Sequence, residues 1–358
     1  MKNVKSYLSC HTLIFNGIKH EGKESLLSLA QLLLNEKDEE KNHIGRFLID
    51  WLKEDETIEL QTSGSTGTPK IIRVHKNAMI ASAQRTLKFL ELKPDSSALL
   101  CLSARYIAGK MMLVRALVGH LRLFTSPVSG IPLKSLHRRF DFVAMVPMQV
   151  IKILNENKEA LNNIHHLIIG GGSVNTQVSA QLKELTTRSW ETYGMTETVS
   201  HIALRSIKDA YASFIVLPGL SVTTDDRDCL VVEPSDVNEE RLVTNDIVEL
   251  KSDKEFVLKG RFDNIINTGG VKVMAEEIER KLCAILSIPF AVSWKTDDIL
   301  GQKVVLVCES LKPLSLSDVD WTLLAKYELP KEIICIDEIP KTETGKIQRE
   351  KLQQLIDK

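Results

Sequence analysis

Between residues 24 and 53 the apolar positions recur at helical spacing, first in LLSLAQLLL and then in IGRFLIDWL. That spacing predicts two amphipathic helices covering a sheet. From about 57 to 260 the pattern changes to short apolar runs, among them SALLCL, FVAMVP, HHLIIGGG and RSWETYGM, which end in glycine, proline or small polar residues, with helical stretches between them. Such alternation predicts an α/β unit with a largely parallel sheet. In sheets of that kind ligands gather at the carboxyl ends of the strands, where these small-residue turns fall. A second change comes at GRFDNIINTGG, residues 260 to 270. Beyond it lie a helical AEEIERKLCAIL, a strand-like KVVLVCES, a further helical stretch and a strand-like EIICIDEIP. This is a compact α+β unit of ordinary domain size. The expected organisation is a large amino-terminal α/β domain with mainly parallel sheets, residues 1–260, and a small mobile carboxy-terminal α+β domain, residues 261–358, meeting near Asp263.

Composition narrows what these units do. The 358 residues are 43% hydrophobic, enough for two cores, and 46 basic against 47 acidic residues leave a net charge of −1. No global field favours nucleic acid or an anionic membrane, so small molecules are the expected partners. The six cysteines are scattered, without the CxxC spacing of a zinc or redox site, and point to a reducing cytoplasm. The opening MKNVKSYLSCHTLIFNG breaks its apolar stretch with a histidine and a glycine and fits neither a signal peptide nor a membrane span. An oligomer is left open.

TSGSTGTPK, residues 62 to 70, concentrates the candidate chemistry. Gly64 and Gly67 let backbone amides approach an anion, the hydroxyls of Thr62, Ser63, Ser65 and Thr66 donate to phosphate oxygens, and Lys70 supplies charge. A Walker loop is excluded: two residues, not four, separate the glycines, and Ile71 rather than Ser or Thr follows Lys70. A flexible Ser/Gly linker is disfavoured by Pro69, Lys70 and the strand-like IIRV after them. Further along, Glu197 of YGMTET offers carboxylate oxygens to magnesium, Thr196 a donor to phosphate, and Tyr193 a flat face to a base. Alone, that hexapeptide reads equally as a buried turn, and Gly170, Gly171 and Gly172 as a tight one.

Taken in order, TSGSTGTPK, GGG at 170–172, YGMTET at 193–198, TND at 244–246, GRFDNIINTGG and PKTETGKIQR at 340–349 resemble the signature segments of the AMP-forming acyl-CoA synthetases. These share a superfamily with peptide-synthetase adenylation domains and firefly luciferase. The resemblance implies ATP, Mg2+ and coenzyme A: a carboxylic acid and ATP give an acyl-adenylate and pyrophosphate, then the CoA thiol displaces AMP. It implies that Asp246 and Arg261 hold the ribose, that Asp263 is a hinge, and that Lys346 bridges carboxylate and α-phosphate. It also implies that the Thr268 to Gly270 loop, with Gly269 and Gly270, lines the pantetheine channel. Where this chain has Asn245 the family more often has glycine. Lys341, Arg349 and His75 read as ordinary structural or surface residues, as do His165 and His166.

The acid is read from SARYIAGKMMLVRAL, which occupies the place of the family's aromatic-histidine-glycine stretch beside the acyl pocket. Tyr106 stands where the histidine would be, and Arg105, Lys110 and Arg115 fall within eleven positions. A charge inside an apolar helix is costly unless it is paired or meets an anion. Arg115 therefore implies either a protein carboxylate or a second carboxylate on the substrate. The early phosphate loop and this basic segment most resemble the o-succinylbenzoate:CoA ligases of menaquinone synthesis. The alternatives are another aryl- or acyl-CoA ligase, an enzyme loading a carrier protein, or a nucleotide-binding protein without catalysis.

Overall fold

The structure is a computed structural model that describes residues 11–61, 71–134, 136, 138–209, 213–236, 240–283, 285–342 and 347–357. The chain enters through a hairpin, β1 (Thr12–Phe15) and β2 (Ile18–Glu21), which the apolar pattern alone did not reveal. Its two-residue turn is Asn16-Gly17, with φ of 49° and 89°, the left-handed pair a tight hairpin needs. The two expected amphipathic helices follow as α1 (Lys23–Leu34) and α2 (Glu39–Leu52). The Asp38 carboxylate caps α2 by accepting from the Glu40 amide at 2.9 Å. Leu26, Leu29 and Leu33 of α1 and Phe47, Leu48 and Trp51 of α2 are buried in one core with Leu13 and Phe15 of β1.

β3 (Thr57–Gln61) and β4 (Ile71–His75) form a separate antiparallel ribbon. Then come α3 (Lys76–Phe89), β5 (Ser97–Leu100), α4 (Ile107–Gly119), β6 (Arg122–Thr125), β7 (Phe140–Met145), α5 (Pro147–Asn157), β8 (Ile164–Ile169), α6 (Thr176–Lys183) and β9 (Arg188–Gly194). The four apolar runs are thus strands β5, β7, β8 and β9. They lie side by side and parallel, extended by β6 and β1.

From residue 201 the sheet departs from the parallel expectation. β10 (His201–Ser206), β11 (Phe214–Val216), β12 (Val222–Thr224), β13 (Cys229–Val232), β14 (Leu242–Ser252) and β15 (Glu255–Arg261) all pair antiparallel, completing a 13-stranded sheet. The reason is connection length. Only Asp253 and Lys254 separate β14 from β15, whereas a parallel crossover takes a dozen or more residues.

A 3-10 segment, Phe262–Asn264, leads into a second sheet of β16 (Ile265–Thr268), β17 (Val271–Met274), β18 (Phe290–Asp297), β19 (Gly301–Glu309) and β20 (Glu332–Ile336). This sheet has its own cores against α7 (Ala275–Leu282) and α8 (Arg349–Ile356). The helix expected between β19 and β20 is absent; residues 310–331 hold only a 3-10 turn, Leu316–Asp318. Local side-chain bonds compete with a helix there: the Asp318 carboxylate accepts from the Ser315 amide and hydroxyl, both at 2.8 Å, and Asp320 from the Thr322 amide at 3.0 Å.

Arg349 also departs from its reading as a surface cation. Its Nη2 donates to both Glu279 oxygens, at 2.8 and 2.9 Å, and its Nη1 to the Val292 carbonyl at 2.8 Å, tying α8 to α7 and β18. Lys341 keeps its surface place, paired with Glu309 at 3.0 Å. Replacing Arg349 by Met strands the Glu279 charge and is expected to cost about 3 kcal/mol in urea unfolding, while Arg349→Met with Glu279→Leu recovers most of that loss.

Candidate active site

The loops that leave β7, β8 and β9 meet at one end of the parallel strands. The Gly170 amide donates to the Met145 carbonyl at the end of β7, at 3.1 Å. A side chain at Gly170 would begin 2.4 Å from the Thr192 hydroxyl on β9, so a residue without one lets the two strand ends close together. Gly171 has φ of +81° and turns the chain. Buried Glu191 pins the loop: one carboxylate oxygen accepts the Val174 amide at 3.2 Å, and the other pairs with Arg205. Sequence reasoning missed Glu191. Its signal was an acid at an inward position of a strand, in step with Ser189 and Tyr193.

Tyr193 is placed differently from a free stacking face. Its ring is 8% exposed, edge-on to Phe256 with centroids 5.2 Å apart and tilted against Phe214 at 5.8 Å. The part that reaches the site is the hydroxyl, which donates to Asp246 at 2.6 Å. Burial, then the Asp246 charge, pushes the phenol far above its usual range and keeps it a donor. Asp246 on β14 lies opposite Arg261 on β15 in the ladder, with a 3.5 Å contact between their side chains. The strand pairing therefore brings the two expected ribose residues together.

Between β9 and β10, residues 195–200 form a compact turn in which the Thr198 hydroxyl binds the Met195 amide at 2.9 Å and the Ser200 carbonyl at 2.7 Å. Thr196 is half-buried on this turn and Glu197 exposed. No group of three or more His, Cys, Asp or Glu among the described residues forms a ready metal cage. A lone exposed carboxylate fits magnesium, which keeps waters and shares phosphate oxygens instead of needing an all-protein cage.

The basic residues of SARYIAGKMMLVRAL part company. Tyr106 precedes α4, half-buried, with the Arg105 guanidinium 5.6 Å from its ring centre. Lys110 points to the Glu59 carbonyl on β3 at 3.4 Å, and burial lowers its ammonium. Arg115 is only 2% exposed. It donates to the Ser200 hydroxyl at 2.8 Å and touches the Met112 sulfur at 3.8 Å, while its Nε has no partner among the described residues. Of the two alternatives, a protein carboxylate is not found: no ion pair joins Arg115 to an acid among the described residues. Burial pushes it down to about 9. Neighbouring His201 is buried, hydrogen-bonded to Thr86 at 3.1 Å, and held well below its usual range by burial and by Arg115. It is a neutral ring that adds no charge. His75 is exposed ahead of α3, and burial takes His166 on β8 down to about 4.

In the second sheet Gly269 and Gly270, with φ of 60° and 79°, form the two-residue turn between β16 and β17. Asp263 accepts from Arg261 at 3.0 Å and from Asn245 at 3.2 Å. Thr62, Ser63, Gly64, Ser65, Thr66, Gly67, Lys70 and Lys346 lie outside the described residues, although the Gln61–Ile71 pair of the β3–β4 ribbon brackets the phosphate segment.

Residues 19–229 match the family model described as AMP-binding enzyme. The chain belongs to that family. It is an AMP-forming ligase of the acid–CoA type. A crystallised acyl-CoA synthetase (AMP-forming)/AMP-acid ligase II-like protein from Dyadobacter fermentans is 36% identical, with TM-score 0.62, over 92% of this chain and 98% of its own. The 2-succinylbenzoate–CoA ligase of Listeria innocua is 28% identical over 337 residues, covering 82% of this chain and 69% of that protein. The o-succinylbenzoate coenzyme A synthetase of Bacillus subtilis, solved with ATP and magnesium ion, shares the fold at 20% identity and TM-score 0.72, over 86% of this chain and 74% of its own.

In this AMP-binding enzyme the Tyr193 hydroxyl joins two distant strands. Tyr193→Phe is expected to lower unfolding stability by about 1–2 kcal/mol, read in urea, because a carboxylate hydrogen bond made in a buried setting is lost.

Proposed function

We propose that this AMP-forming ligase activates an aromatic acid bearing a second carboxylate, with o-succinylbenzoate as the favoured substrate, and transfers it to coenzyme A. The observation that carries the reading is Arg115, a guanidinium closed off from solvent, bonded to the Ser200 hydroxyl and matched by no protein acid among the described residues. A substrate carboxylate delivered there offsets the burial cost and reverses the downward shift. Ser200 ends the turn that carries Thr196 and Glu197, so the hydrogen bond ties Arg115 to the same turn as the candidate phosphate and metal residues, which supports this reading.

In the first half-reaction the reacting carboxylate oxygen attacks the α-phosphorus of ATP, the bond to the β-phosphate oxygen breaks, and pyrophosphate leaves. Tyr193, Asp246 and Arg261 orient the nucleotide, Thr196 donates to the α-phosphate, and Lys346 and the Thr62 to Lys70 segment offset the charge that keeps two anions apart. Magnesium, when bound at Glu197, supplies charge neutralisation at the phosphates. In the second half-reaction the thiolate of CoA adds to the acyl carbonyl and AMP departs with the electron pair of the broken C–O bond. The small unit turns about Asp263 between the two steps, and the pantetheine arm passes the Gly269–Gly270 turn. A carrier-protein thiol in place of CoA is the second reading, and only the acceptor assay separates them.

The test is pyrophosphate release over a panel of aromatic mono- and dicarboxylates with CoA; indifference to o-succinylbenzoate would overturn the assignment. Arg115→Met should lower kcat/KM for the dicarboxylate about a hundredfold while changing that for a matched monocarboxylate only a few-fold. The pH profile gives an independent check. Arg115 is depressed to about 9, so its charge is complete at neutral pH and is lost as pH rises through that value. Dicarboxylate kcat/KM, which reports the free enzyme, should therefore fall above about pH 9 more steeply than that of the monocarboxylate.

A further inference from the structure

The chain passes from the large sheet to the small one once, through Phe262–Asn264, and side chains from the large sheet grip that linker. The Asn245 amide donates to both Asp263 carboxylate oxygens, at 3.2 and 3.3 Å, and its own oxygen accepts from Arg227 Nη1 at 3.1 Å. Because arginine can only donate, the orientation of the Asn245 amide is fixed by the contact. The same guanidinium lies 5.0 Å from the Phe262 ring centre and donates to the Thr244 carbonyl at 3.3 Å. Asp225 braces it, with its carboxylate 2.7 Å from Nη2 and also accepting the Arg227 and Cys229 amides at 2.9 and 3.0 Å. Thus Arg227, on a braced turn between β12 and β13, and Asn245, on β14, reach two consecutive linker residues.

We infer that Asn245 and Arg227 form a latch that sets the posture of the linker and must release it whenever the small sheet reorients. Strand alternation adds a connection to the nucleotide site. Asn245 and Asp246 are neighbours on β14 and point to opposite faces, so one strand segment carries the candidate ribose acid on one side and the latch on the other. Arg261 spans both, 3.0 Å from Asp263 and 3.5 Å from Asp246. The latch is made of exposed hydrogen bonds and one cation–aromatic contact, each weak, which suits a fastening that opens on every turnover. Both residues are positioning residues: they act on the linker and not on the reacting atoms.

This inference rests on the two-step reading above, and its first readout needs no substrate. Amide hydrogen exchange is followed in Asn245→Gly, in Asn245→Asp, which sets a second carboxylate against Asp263, and in Arg227→Met, using the full chain. Exchange at residues 262–264 should rise about fivefold in each, with β8 unchanged as an internal reference. Unchanged linker exchange overturns the latch, and so does a rise shared by β8, since that reports general destabilisation. The second readout is the ratio of single-turnover transfer from preformed acyl-adenylate to CoA over ATP–pyrophosphate exchange. It should move by about threefold or more, in the same direction in all three variants, with KM for ATP unchanged. Faster linker exchange with an unmoved ratio would leave only a structural tie and sink the proposal. Failure of the ligase reading would appear separately, as an inactive unsubstituted protein.

Discussion

The hydrogen bond from Tyr193 to Asp246 sets the shape of everything around it. In the sheet order β9 and β14 are four strand spacings apart, with β10, β11 and β15 between them. At about 4.8 Å per strand a flat sheet would hold them roughly 19 Å apart, far beyond a tyrosine side chain. Their contact at 2.6 Å requires the antiparallel half to curl over. Phe214 on β11 and Phe256 on β15 fill the inside of the curl, stacked with centroids 5.4 Å apart. That closure brings the glycine loop after β8, the turn after β9, and the Asp246–Arg261 pair into one neighbourhood.

Arg115 is a counterweight on the other side of the turn after β9. An aliphatic residue would satisfy the packing of α4, which is buried over most of its length, whereas a guanidinium there carries a desolvation cost that Ser200 offsets only in part. Neutral His201 lies beside it and contributes no opposing charge. A stranded cation stores binding free energy for an anion. On the proposed reading the polar apparatus divides by charge: carboxylates lie toward the nucleotide, and a guanidinium with no acid beside it among the described residues lies toward the acyl group.

Much of this was legible in the residues. Three of the four runs became the parallel strands β5, β7 and β8 because a doubly covered strand needs near-continuous hydrophobicity, and the fourth, β9, joined them with an alternating pattern. The two helices at 24–53 were equally plain, since one stripe of each had to be buried. The antiparallel half was harder: its strands follow one another without room for a crossover helix, so direction lay in connection length. The helix expected after β19 failed because Ser315 and Asp318 satisfy each other locally. Arg349 looked like any lysine or arginine of the surface, and only the approach of α7 to α8 made it a partner of Glu279.

By itself the sequence determined the chemistry available and the order of its parts: glycine where backbones must close, a run of hydroxyls with a cation, single acids between apolar strands, and one arginine inside an apolar helix. Those choices are local, so they can be read locally. The tertiary structure decided which of these groups meet. It turned the Tyr193 ring into the core and its hydroxyl toward Asp246, and left Arg115 without an acid among the described residues. It also made Asn245, which in the sequence stood only as a departure from the family's usual glycine, a partner of Asp263 eighteen positions away. Such pairings depend on how far a sheet curls and on which strands become neighbours, and these follow from packing of the whole chain.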